Sequence, residues 1–290
     1  VEDENGVLWV ATSNSGLFKF DTKPSKIGTY SLKNELPYNY NTYNIHGNSN
    51  TTLYASCGFN GVLKMDLKNS MTRLYELPEQ NVLSVYERKD GTICVGTTKG
   101  AYIFDGKMNF VKEVPFAPAK NDSINRIIVN DITEDCLGNI WLATQRGLYK
   151  YNGYKVERQR GVGMKGENVD CVYEDYEGRI WCGLKSGSYF KAPTDTFFIP
   201  TDAYEINKSP NNHTYCFCDY GNRVLIGTAS GILSYDKESK HVTAAEFSNY
   251  FDNCIIYSLL RTSNDILWIS SNSGIGYVDM KNAKAYKFNH

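Results

Sequence analysis

Gly138-Asn139-Ile140-Trp141-Leu142-Ala143-Thr144-Gln145-Arg146-Gly147-Leu148-Tyr149-Lys150-Tyr151 decides the fold. Gly138 and Asn139 form a turn, Ile140 to Ala143 is an apolar run too short for a helix, Gly147 marks a second turn, and the last residues alternate as a strand does. The stretch predicts a β-hairpin. Variants of it recur with the place of Trp141 taken by Trp9, Tyr54, Cys94, Trp181, Leu225 and Trp268, at intervals of 40 to 47 residues. The following turn keeps its glycine at Gly16, Gly61, Gly100, Gly147, Gly187, Gly231 and Gly274. Asp21, Asp66, Asp105, Asn152, Asp236 and Asp279 close the hairpin, and Lys191 breaks that pattern in the fifth copy. A fixed period of this size signals an array of one supersecondary unit.

Two further strands complete each unit. Nine residues before the anchor stands Ile45, Val85, Ile132, Val172, Cys216 or Leu259, which predicts a first strand, and runs such as 26–32, 71–77 and 285–288 predict a fourth. Four short antiparallel strands per 40-odd residues are a propeller blade. The expectation is all-β: a single domain over residues 1–290, a seven-bladed β-propeller with four-stranded antiparallel blades and a first strand cut short at Val1 to Asp3. Two residues past each anchor the side chain is small (Ala11, Ser56, Gly96, Ala143, Gly183, Gly227, Ser270), as crowding between converging blades requires. The anchor aromatics read as wedges between blades. Segments 115–125 and 194–212, rich in Pro, Asn, Asp and Ser, read as surface loops, and Pro37, Pro78 and Pro200 mark connections.

Composition excludes several functions. A formal net charge of −1 offers polyanions no general attraction, so nucleic acid is not an expected partner. No apolar run approaches the roughly 20 residues that span a bilayer, and no signal-peptide pattern opens the sequence. Because Val1 falls inside a repeat, a fragment of a longer protein is expected. The eight cysteines follow neither a CxxC metal pattern nor a small-domain disulfide framework. Cys94, Cys182, Cys216, Cys218 and Cys254 are placed in strands as small buried hydrophobes.

The pattern D-x-x-G-x-[LIV]-W-[VLI]-[AGS]-[TLS], followed by G-[LIV] and an aromatic, resembles the two-component regulator propeller repeat. The match is best over Asp3 to Asp21, Asp135 to Asn152 and Asp175 to Lys191. It is weaker over Asn48 to Asp66, Arg88 to Asp105, Asp219 to Asp236 and Thr262 to Asp279. Asn81-Val82 and Asn168-Val169 also resemble that family's approach to the first strand, with Asn41 and Asn212 keeping the Asn alone. The resemblance implies one propeller from the periplasmic sensor region of a hybrid two-component histidine kinase. It further implies carbohydrate sensing, neighbouring sensor domains, a membrane segment elsewhere in the protein and a homodimer in the intact molecule.

No catalytic constellation emerges. His46, His213, His241 and His290 lack partners at ligand spacing, the serines lack a nucleophile elbow, and no phosphate loop is present, so no catalytic residue, metal or cofactor is expected. Glu2, Glu87, Glu134 and Glu174, seven residues before the anchor, and Asp3, Asp135 and Asp175 beside them, read as turn formers rather than as an acid/base pair.

A binding face is the stronger expectation. Candidate ligand residues are Lys99, Arg146 and Lys185 in the hairpin turns and Tyr43, Tyr215 and Tyr257 at the starts of first strands, with Asn130 and Asp170 among their neighbours. Such residues suit an oligosaccharide, and the three cations suit an acidic or sulfated one. The alternatives are a polysaccharide-acting propeller enzyme, a lyase or glycosidase, and a protein-interaction scaffold.

Overall fold

The structure, a computed structural model, describes residues 1, 7–12, 16–21, 27–29, 41–47, 51–69, 71–77, 81–117, 126–164, 166–201, 213–282 and 284–287. Copy one of the repeat forms a three-stranded sheet, Val7–Thr12, Gly16–Asp21 and Ile27–Thr29. The second sheet joins Asn44–His46, Thr52–Ser56, Val62–Asp66 and Met71–Tyr75, and the third Val82–Glu87, Ile93–Thr97, Gly100–Phe104 and Phe110–Glu113. Val129–Glu134, Ile140–Thr144, Gly147–Tyr151 and Val156–Arg158 form the fourth, and Val169–Glu174, Ile180–Leu184, Gly187–Lys191 and Ile199–Pro200 the fifth. The sixth holds Thr214–Tyr220, Arg223–Thr228, Gly231–Asp236 and Val242–Ala244, and the seventh Ile256–Arg261, Ile266–Ser271, Gly274–Asp279 and Lys284–Lys287.

The fold is an all-β β-propeller with four-stranded antiparallel blades, and among the described residues the complete blades number six. The seven-bladed expectation is therefore corrected. Counting anchors counts second-to-third-strand hairpins, and a hairpin does not guarantee the first strand that completes a blade. Beside Trp9 the first-strand place is met by Val1, whose N and O bond Trp9 O and N at 3.0 and 2.7 Å. Residues 2–6 lie outside the described set, as do 118–125 and 202–212 of the expected loops. The other part of the 194–212 segment contains the strand Ile199–Pro200, so Pro200 is an edge-strand residue and not a connection. An edge place suits it, because proline has no N–H to donate to a ladder. Cys254 precedes its strand instead of lying in it.

The chain divides into two compact units, Val1–Glu134 with Tyr151–Val156 and Asp135–Lys150 with Glu157–His290. In the first, Trp9 packs with Leu53, Ala55 and Leu63, and Tyr54 with Val82, Val85 and Ile93 of the next sheet. In the second, Trp141 packs with Val169, Val172 and Ile180, and Trp181 with Phe217, Val224 and Tyr235. These four anchors are thus wedges onto the sheets that follow them. The strands Ile93–Thr97, Ile140–Thr144 and Ile180–Leu184 are buried at all five positions, as a strand covered on both faces must be.

Local hydrogen bonds explain the repeated polar residues. Asp135 Oδ1 accepts the N–H groups of Leu137 and Asn139, and Oδ2 takes the Trp141 indole N–H at 2.8 Å. Asp175 does the same for Glu177, Arg179 and Trp181. The turn-forming role expected of these aspartates therefore extends to orienting the wedge. The glutamates act differently from expectation. Glu134 accepts from Lys89 N at 2.8 Å and Arg88 Nε at 3.0 Å, and Glu174 from Cys136 N at 2.7 Å, so each reaches back to the turn of the preceding sheet. After the hairpin, Asp66, Asp105, Asp236 and Asp279 accept backbone N–H groups from the next turn, and bonds from Asn69, Asn109, Ser239 and Asn282 hold their carboxyls below the usual range. At the exceptional Lys191, Asp195 caps Ala192 N instead.

The small residue past the anchor is enforced by contact. A Cβ on Gly183 would stand 2.5 Å from Cys171 Sγ and 2.6 Å from the Thr214 carbonyl oxygen of the next sheet, and one on Gly227 would stand 2.4 Å from Cys216 Sγ. Gly183→Ala is expected to cost about 1–3 kcal/mol, since the obstacle is partly backbone. A urea midpoint equal to wild type would contradict this. The eight cysteines are free thiols; burial raises the pKa of Cys57 and Cys218 to about 11.

Candidate ligand-binding site

The site is built by a register fault repeated at the start of first strands. In the fifth sheet Val169 pairs with Leu184 and Cys171 with Gly183, leaving Asp170 as an extra residue. The same slip isolates Tyr215 between Thr214 and Cys216, and Tyr257 between Ile256 and Ser258. A bulge of this kind takes one residue out of the ladder and re-aims its side chain. The hairpin turn of each sheet lies at the same end, because Val169, Thr214 and Ile256 sit opposite Leu184, Thr228 and Ser271.

In the second unit these residues meet. His213 Nε2 lies 2.6 Å from Asp170 Oδ2, and Asn168 Nδ2 donates to Asp170 Oδ1. The His213 ring stacks on Tyr215 with centroids 4.2 Å apart and planes at 29°, and Tyr257 meets Tyr215 edge-on at 5.9 Å and 70°. Tyr257 is 50% exposed, which leaves ring surface for a ligand. Burial first, then the Asp170 carboxylate and Tyr257, push the Tyr215 phenol above its ordinary pKa, so it stays a neutral hydroxyl. The cluster combines an oriented carboxylate, an imidazole and aromatic faces, a set that accepts hydroxyl protons and stacks on apolar ring faces.

Of the residues expected from sequence, Tyr215 and Tyr257 come into ring contact, and Asp170 joins them. Lys185 is exposed in the turn after Leu184, and Arg146 occupies the turn after Thr144, whose Oγ1 accepts the Arg146 N–H at 3.1 Å. Tyr43 and Lys99 belong to the first unit. Tyr43 is half-exposed, with its OH 3.4 Å from Asn41 Nδ2. Lys99 lines a cavity of about 210 Å³ with Glu113, Val114, Pro115, Phe116 and Ile127. His213 reads in the sequence as a lone histidine, although it follows Asp170 by 43 residues, within the range of the repeat interval, which is the signal that pairs them. His46 is structural: its Nδ1 accepts the Glu87 N–H at 3.0 Å and its ring lies 4.0 Å from Tyr86. Among the described residues no group of three His, Cys, Asp or Glu is placed to hold a metal. No helix among them is long and apolar enough to cross a membrane.

No family model matches the chain. Over 226 residues, 72% of its length, it is 22% identical to histidine kinase P4 of Formosa agariphila, of which the match spans 15%. In structure it is similar to catalytically inactive virginiamycin B lyase from Staphylococcus aureus, with a TM-score of 0.71, 13% identity and coverage of 90% of this chain and 87% of that one. It is also similar to YCF48 from Cyanidioschyzon merolae, with a TM-score of 0.72, 11% identity and coverage of 100% and 94%. PorZ from Porphyromonas gingivalis gives 0.68, 12%, 94% and 45%. At such identities the likeness to these structures is one of fold, and function has to be argued from the site.

Proposed function

We propose that this chain is a ligand-binding sensor propeller, extracytoplasmic, which recognises a carbohydrate and passes the signal to a histidine kinase. The observation that carries the reading is the cluster of Asp170, His213, Tyr215 and Tyr257, which offers a sugar both hydroxyl partners and a ring face. The 22% identity to a histidine kinase supports the signalling half. Calorimetry of the chain against an oligosaccharide panel tests it. Binding is expected, and Tyr257→Ala is expected to weaken it by about 0.5–1.5 kcal/mol through loss of a stacking face. A mutant that binds every sugar as wild type does would remove the site from this reading.

The His213–Asp170 pair also favours a second reading, a lyase or glycosidase, because a carboxylate on one imidazole nitrogen orients the ring as a general base. Turnover of the same panel, lost in His213→Gln, would establish the enzyme; bound sugar recovered uncleaved would establish the sensor.

A further inference from the structure

The same site carries a choice of ligand, an inference that rests on the carbohydrate reading above. Among the described residues each oxygen of Asp170 faces one donor, Asn168 Nδ2 on Oδ1 and His213 Nε2 on Oδ2. A carboxylate has about four lone-pair positions, so two donors fix its plane and still leave an acceptor on each oxygen. Two adjacent acceptors in one plane match two adjacent hydroxyls of a pyranose. The imidazole is turned the same way by both contacts, since its Nε2 faces Asp170 while its face lies on Tyr215. Tyr257, edge-on to Tyr215 and half-exposed, presents the surface on which the C–H face of the sugar can lie. A ligand carboxylate or sulfate in this position would face the Asp170 charge at contact distance, a like-charge approach that disfavours it.

We propose that Asp170 is the hydroxyl-accepting anchor of this site and that the site selects a neutral pyranoside over an acidic or sulfated one. The selection is opposite to the one expected from Lys99, Arg146 and Lys185 alone, because the Asp170 carboxylate sets the local field at its bulge. Asn168 and His213 are positioning residues that hold Asp170.

Calorimetry decides the matter with cellohexaose, xylohexaose, mannohexaose and laminarihexaose as neutral probes, and hexagalacturonate and a sulfated carrageenan hexamer as acidic ones. At least one neutral probe is expected to bind, with both acidic probes tenfold or more weaker. Asp170→Asn, which keeps the shape but loses one acceptor, is expected to weaken the neutral probe tenfold or more at unchanged Tm. His213→Ala is expected to weaken it less, and His213→Gln, which keeps a side-chain N–H, to recover part of that loss. An acidic probe that binds more tightly than every neutral one, or an Asp170→Asn protein of equal or higher affinity, overturns the selection while leaving the carbohydrate reading in place. Binding by no probe overturns both. Should Asp170→Asn melt at a lower temperature, the ranking of probes on the wild-type chain and the response of Tyr257→Ala decide instead.

Discussion

Replacing Lys237 with Met is expected to lower the unfolding free energy by about 3–5 kcal/mol, the usual cost of leaving buried charges unpartnered. Lys237 Nζ lies 2.9 Å from Asp219 Oδ1, 3.5 Å from Asp175 Oδ2 and 3.6 Å from Glu177 Oε1. Its side chain is 3% exposed and those of the two aspartates 0% and 2%, so water cannot take over its role. Burial works against the ammonium, but the Asp219 hydrogen bond and the carboxylates around it raise its pKa above the lysine value. Both aspartates hold other groups in place. Asp175 fixes a turn and the Trp181 indole, and Asp219 accepts Tyr176 N at 2.9 Å and the Tyr173 hydroxyl at 3.0 Å. A cause lies in the repeat: Leu225 stands where a Trp would give Asp219 an indole N–H, and Lys237 supplies the missing donor. Arg179, 3.6 Å from Asp175, offsets part of the loss. A urea midpoint shift worth less than about 1 kcal/mol would show that the ammonium is dispensable.

Acid is expected to destabilise the chain through His46. Burial, and after it the positive charge of the Val1 amino group, lower its pKa from 6.5 to about 4. The unfolded chain therefore binds the proton more readily, and stability is full above the unfolded value and lost as pH falls through 6.5 toward 4. The shift corresponds to about 3 kcal/mol at 1.36 kcal/mol per unit. Protonation also puts a hydrogen on Nδ1, which must accept the Glu87 N–H. Urea titrations at pH 7.5, 5.5 and 4 check this, with His46→Gln as the control whose side-chain oxygen can still accept that N–H. An equal acid response in the variant would place the titrating group elsewhere.

Much of the fold was legible in the sequence because it is local. The period-two alternation, the turn glycines, the Asp-to-backbone bonds and the indole held by Asp135 or Asp175 span at most six residues, so they repeat with the hairpin that contains them. The small residue at Gly183 or Gly227 was legible for a related reason: seven copies show the same restriction, although part of its cause, the Thr214 carbonyl or Ile256 side chain of the next sheet, lies outside the copy.

The sequence by itself determined the all-β class, the unit of four strands, the anchors and the end of the sheet on which Tyr215 and Tyr257 lie. Only tertiary structure decided the number of complete blades, since a first strand is identified by what it pairs with. It also decided the reach of Glu134 and Glu174 to the preceding sheets, the Lys237 contacts with Asp175 and Asp219, and the meeting of His213 with Asp170 across 43 residues. The bulges belong to this second group. A strand's own residues set which side chains alternate, but an unpaired residue exists only relative to the partner strand, and Asp170, Tyr215 and Tyr257 become one site because three such slips recur in successive sheets.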